Sequence, residues 1–264
     1  MKKAVVPAAL VIVLAVVVLS ALFVNRRLRQ RQQQTASVAG AVEYIRAMEA
    51  GNPEEVISII RQHEREQFEA ERAQMREALL SGELDVWSLF QDYVFLGDSR
   101  VTGFFYYGFL PSARVLAGSG DTIRSIEPLM DEIVALHPSR VYLSFGINDL
   151  NIGFWNDPDE YTAEFVETAD MMREALPELE IYVNSILPVQ DFALKNGAEW
   201  YRVPEYNIAL REMCEEHGYV FVDNDGIVAE HQDEYSEDGI HLNDAFYPYW
   251  GTNNIIATLY SDPQ

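Results

Sequence analysis

Three observations predict an α/β domain with a mostly parallel sheet covered on both faces. Short apolar stretches recur at 93–97, 113–117, 140–145, 180–187 and 219–222. Helical patterns near 123–136, 159–176 and 204–216 separate them, and a last one near 245–260 closes the chain. Several of the apolar stretches end in small or polar residues. Short apolar strands that alternate with helices need crossover connections, which bury both faces of the sheet. In such a sheet the strand ends share one edge, so residues distant in sequence converge there.

The first segment lies outside that pattern. Ala4 to Val24 is an apolar run broken only by Pro7 and Ser20. As a helix it is about 31 Å long, close to the roughly 30 Å hydrocarbon core of a bilayer. Lys2 and Lys3 precede it, and Arg26, Arg27, Arg29 and Arg31 follow. It is long for a cleaved signal peptide and lacks a small-x-small site directly after it. The expectation is an uncleaved single-pass anchor over 1–31. Counting basic residues leans toward a cytoplasmic domain.

A polar linker, "RQRQQQTAS", leads into a helical region over 32–91. Val38, Val42, Ile45 and Met48 keep helical spacing up to Gly51. Asn52-Pro53-Glu54-Glu55 then reads as a helix start: a capping side chain, a first-turn proline and two acids at the positive end of the dipole. That helix runs to about Leu80, ended by Gly82. Its charged interior suits a stalk, a partner-binding helix or a solvated helix packed lightly on the main domain.

The third segment, 92–264, carries the strands. Tyr93 to Leu96 lead into Gly97, which permits a sharp turn, and Ser99 follows just past the strand end. The second strand ends in Gly118-Ser119-Gly120-Asp121-Thr122 and the third in Gly146-Ile147-Asn148-Asp149. Far downstream, Asp238 precedes His241 by three residues. A serine hydroxyl is a poor nucleophile until a neutral imidazole takes its proton, and the imidazole needs a carboxylate on its other nitrogen. Ser99, His241 and Asp238 supply those groups. An oxyanion needs donors, which the Ser99 and Gly120 backbone N–H groups and the Asn148 amide can provide. Asp98 and Asp149 are read as bracing the loops.

Together these residues resemble the SGNH (GDSL-type) hydrolases, a family named for a Ser, a Gly, an Asn and a His in four separate blocks. Gly97-Asp98-Ser99, Ser119-Gly120-Asp121-Thr122, Gly146-Ile147-Asn148-Asp149 and Asp238-Gly239-Ile240-His241 fall in the family's order over roughly residues 92 to 260. Arg100 stands where leucine usually follows the serine. The resemblance implies a three-layer flavodoxin-like fold and hydrolysis of esters with no metal and no cofactor. By analogy with that family, acyl or acetyl esters on cell-envelope glycans are the expected substrates. An SGNH-like domain behind an N-terminal anchor usually faces outward, so an extracytoplasmic domain is expected despite the Arg count.

Rival chemistries are weaker. Val101 excludes the G-x-S-x-G elbow of another hydrolase fold. Asp98, Asp149, Asp238 and His241 could serve a metal-dependent phosphoesterase, which would ordinarily use more histidines. A binding module without activity has no need of the complete Ser, Asp and His set. The formal net charge of −23, with basic residues concentrated around the apolar run, argues against nucleic acid and against a domain lying on anionic lipid. The single cysteine, Cys214, excludes an internal disulfide and reads as a structural thiol. Trp155, Trp200 and the rings of "GFFYYGF" and "FYPYW" suit a sugar platform or an acyl pocket, although ordinary packing accounts for most such rings. Oligomeric state is not legible.

Overall fold

The computed structural model describes residues 42, 45, 46, 48, 51, 53–196 and 199–261. The expected anchor at 1–31 lies outside them. Among the described residues no helix is long and apolar enough to cross a membrane. The chain divides into two compact units, 1–71 and 72–264.

Helix α1 spans Pro53–Leu80, as the Asn-Pro-Glu-Glu start and Gly82 predict, and Gly82 takes a left-handed φ of +74°. Within the second unit, five parallel strands follow: β1 (Tyr93–Gly97), β2 (Val115–Ala117), β3 (Arg140–Ser144), β4 (Glu180–Asn184) and β5 (Val220–Val222). Their order is β2-β1-β3-β4-β5, the doubly wound order of flavodoxin-like folds. The chain reverses direction across the sheet between β1 and β3, and the crevice at their carboxyl ends is where such folds bind ligands.

Alternating side chains give the sheet two unlike faces. Val94, Leu96, Val141, Leu143, Ile181 and Val183 face one aliphatic core. It is covered by helices α3 (Met130–Leu136), α5 (Pro158–Ala175) and α6 (Val203–His217). Tyr93, Phe95, Tyr142 and Tyr182 face the other. Phe95 stacks on Tyr142 at 5.1 Å, and Tyr142 lies 5.0 Å from Tyr182. Tyr247, Trp250, Ile255 and Ile256 of the last helix, α8 (Tyr247–Leu259), cover these rings, joined by Leu79, Val86 and Phe90 from before β1. Helices on both faces make three layers, as expected.

The differences from the predicted elements have local causes. The pattern over 123–136 divides into short 3-10 turns at 123–125 and 127–129 before α3, because Pro128 has no N–H for a continuous α-helix. Strand β4 stops at Asn184, where Ser185 and Asn224 enter a buried polar network. Three short helices go unpredicted: α2 (Gly103–Tyr106), α4 (Ile147–Ile152) and α7 (Asp225–Glu230). Each is too short to show a period in sequence.

Gly97 has a different purpose from the one expected. It ends β1 without a left-handed φ. A β-carbon there would lie 2.5 Å from the Ser144 carbonyl oxygen and 2.3 Å from the Val101 side chain. Glycine is needed for close approach, letting the turn after β1 sit against the end of β3.

Candidate active site

The turn after β1 is fixed from several directions. Asp98 Oδ1 accepts the Arg100 N–H at 2.9 Å, and Thr102 Oγ1 donates to the Ser99 carbonyl at 2.5 Å. Ser99 is left half-buried at the strand end. Its Oγ lies 2.9 Å from His241 Nε2. On the other side of the ring, Nδ1 lies 2.7 Å from Asp238 Oδ2. The second oxygen, Asp238 Oδ1, accepts the N–H groups of Ile240 at 2.8 Å and His241 at 2.9 Å. These bonds wrap the loop around its own carboxylate, and a bridge between Tyr235 and Leu242 closes it. Ser99 from the first block and Asp238 and His241 from the last therefore meet.

The carboxylate and imidazole are both nearly half exposed. Partial burial opposes ionisation of Asp238, but the bonds from the His241 ring, its N–H and Ile240 outweigh it and hold the carboxyl below the usual range.

Gly120 lies in the loop after β2 and Asn148 in α4 directly after β3, the two strands that flank β1. Gly120 has a φ of +83° and is exposed, with open space on the side where a β-carbon would project. Among the described residues, neither the Ser99 nor the Gly120 N–H donates to a protein acceptor. The Asn148 amide donates one hydrogen to the Asp121 carbonyl at 2.9 Å, which orients the group and leaves its second hydrogen free.

Asp149 and Asp98 face inward. Asp149 is 1% exposed, and its Oδ1 accepts the Ile123 N–H at 2.9 Å, tying the loop after β2 to the start of α4. Its Oδ2 is buried with no partner. Burial, with the nearby Asp98 adding to it, pushes the Asp149 carboxyl up to about 7 despite the Ile123 bond. Burial likewise raises Asp98, against the pull of Arg100. Bracing, the role expected of both, is what these contacts provide. Among the described residues, no group of three or more His, Cys, Asp or Glu side chains is placed to hold a metal ion. Cys214 is buried in the aliphatic core, which pushes its thiol up.

The aromatic residues divide sharply. Trp155, Trp200, Phe104, Phe246, Tyr247 and Trp250 are buried packing residues. Of the predicted set, Tyr106 and Tyr107 remain on the surface, and the Tyr107 hydroxyl donates to the Leu242 carbonyl beside His241. Sequence reasoning missed Phe192. It is 52% exposed, and its ring edge lies against the α-carbon of Gly239, where a β-carbon would come within 2.6 Å. A phenylalanine directly after the polar pair Gln190-Asp191, just past the expected fourth strand, was the available signal.

Comparison with known proteins bears on this geometry. The description "GDSL-like Lipase/Acylhydrolase family" matches residues 95–248, more than half of the chain. No curated protein matches it. Among solved structures, the lipase/acylhydrolase from Enterococcus faecalis is similar at 15% identity and a TM-score of 0.52, over 66% of this chain and 99% of that one. That likeness shows the fold. A catalytic mutant of an acetylxylan esterase from Geobacillus stearothermophilus aligns at 16% identity and a TM-score of 0.49, over 64% of this chain and 94% of that one. The matched segment holds the turn after β1, the loops after β2 and β3, and the Asp238–His241 loop, and this chain belongs to the GDSL-like lipase/acylhydrolase family of hydrolases.

Proposed function

We propose that the protein is a serine esterase that cleaves acyl or acetyl esters with Ser99 as nucleophile, His241 as base and Asp238 as orienting carboxylate. The observation that carries this reading is the continuous relay from Ser99 Oγ through His241 to Asp238, at 2.9 and 2.7 Å. The hydroxyl oxygen attacks the ester carbonyl as its proton passes to Nε2. Asp238 stabilises the imidazolium that results. The Ser99 and Gly120 N–H groups and the free Asn148 amide hydrogen receive the developing oxyanion. Collapse breaks the ester C–O bond, and His241 returns the proton to the departing alcohol. Water then repeats the sequence to free the acid and restore Ser99.

The alcohol leaves on the His241 side, where two exposed rings touch the loop, Tyr107 at Leu242 and Phe192 at Gly239. Rings so placed favour a sugar alcohol, in keeping with esters on cell-envelope glycans. The test is Ser99→Ala. It should abolish ester hydrolysis across acetyl and longer acyl esters, free and sugar-linked, and with it labelling by a fluorophosphonate. Labelling that persists in the variant would reject the nucleophile.

We further infer that the apolar run from Ala4 to Val24 anchors the chain and that the catalytic domain lies outside the cytoplasm. Protease added to intact cells should digest the domain. Full protection until the membrane is broken would reverse the orientation.

A further inference from the structure

Arg100 follows the nucleophile directly, yet its side chain is 3% exposed. A guanidinium is costly to bury without partners. Its Nη1 donates to the Leu187 carbonyl at 2.6 Å, and its Nε lies 3.9 Å from Asp98. Its backbone is held as well, since the N–H donates to Asp98 and the Tyr247 hydroxyl donates to its carbonyl at 2.7 Å. Leu187 lies three residues past the end of β4, in a segment that makes no direct contribution to the relay. The next residues of that segment reach the base. The Tyr235 hydroxyl donates to the Pro188 carbonyl at 2.6 Å, and the Gln190 N–H donates to the Gly239 carbonyl at 2.8 Å. Tyr235 and Gly239 belong to the loop that carries Asp238 and His241.

We propose that Arg100 is a positioning residue that sets the separation of nucleophile and base, using residues 187–190 as a strut between the two loops. The inference rests on the assignment of Ser99 and His241 above. Leucine, the residue expected after the serine, has no donor for the Leu187 carbonyl, so this strut depends on the arginine. Proton transfer is steep in distance, and a displacement of 1 Å can cost about 100-fold in rate. Substrate does not touch a side chain buried this deeply, so the effect should fall on kcat and leave KM unchanged.

The experiment compares wild type, Ser99→Ala, Arg100→Met, Arg100→Lys and Tyr235→Phe. Each kcat is expressed per folded molecule and measured below the thermal transition of every variant. Arg100→Met should lower kcat and the fluorophosphonate labelling rate about 100-fold at unchanged KM. Arg100→Lys, which keeps a donor and the charge, should recover part of that loss. Tyr235→Phe removes one of the two bonds at the far end of the strut and should lower kcat with the same unchanged KM. The Arg100→Met/Tyr235→Phe pair should lose less than the product of the single effects, because both act through one segment. Wild-type kcat in Arg100→Met beside an inactive Ser99→Ala overturns the strut and keeps the nucleophile. Should Arg100→Met not fold, wild-type kcat in Tyr235→Phe overturns it equally. Activity in Ser99→Ala overturns the reading on which both rest.

Discussion

Asp238, on a loop, and Asp149, in helix α4, stand in one candidate site and are treated in opposite ways. Asp238 is near the surface, and all of its bonds come from its own loop: two backbone N–H groups and the His241 ring. They keep its carboxyl below the usual range. Asp149 is sealed inside with one backbone donor and one unpartnered oxygen, and burial carries it up to about 7. In the role proposed for Asp238, stabilising a developing imidazolium, a carboxylate must stay charged, and solvent and donors surround it. One that only ties the segment after β2 to a helix can be neutral for much of the pH range. Charge state follows from the donors and the water each site admits, not from the residue type.

The sharpest way to break this comparison is Asp238→Asn. It preserves shape, removes the charge and upsets the tautomer of the base. It should lower kcat/KM by about 10⁴-fold, with little change in unfolding by urea. Activity within tenfold of wild type would mean that another group orients His241.

A smaller effect, on stability, distinguishes the buried acid. Asp149 binds its proton more tightly folded than unfolded, so its contribution to stability declines as pH rises from about 4, the unfolded value, through about 7. Between pH 5 and pH 8 that decline is roughly 3 kcal/mol from this group alone. Asp149→Asn keeps an acceptor for Ile123 and cannot ionise. The variant should match wild type in urea at pH 5 and exceed it at pH 8. Asp149→Ala, which strands the Ile123 N–H, should be less stable by about 1–3 kcal/mol at pH 5. Equal pH slopes in wild type and Asp149→Asn would show that Asp149 is ionised throughout.

The site was more legible in the sequence than its supports. Ser99, Gly120 and Asn148 stand in short motifs just past strand ends, and a parallel sheet with this strand order has to gather those ends. The i, i+3 spacing of Asp238 and His241 fits one tight loop, which made the pair readable. Arg100 was visible only as a departure from leucine, because its partner at Leu187 is a backbone carbonyl, and any residue type supplies one. Gly97 was expected for its freedom to turn, whereas its requirement comes from a neighbouring strand. The helices of 15 residues or more, α1, α5 and α6, were found within a residue or two of their ends. Short helices such as α2 and α4 are held by tertiary contacts and leave little trace. Aromatic residues were ambiguous for the same reason, since composition does not say which face of the chain a ring will occupy.

The aromatic face of the sheet has a consequence for the order of synthesis. All five strands have been made once residue 222 has emerged, and the aliphatic face already has its covering helices from between those strands. Phe95, Tyr142 and Tyr182 still wait for Trp250, Ile255 and Ile256. A nascent chain with its strands complete, its rings covered only in part by residues such as Leu79, Val86 and Phe90, therefore offers a partly open layer of large rings until residues 247–259 have followed. In that interval it is most exposed to sticking to its neighbours or to being held by a chaperone, and a nonsense mutation before Tyr247 would prolong the interval indefinitely.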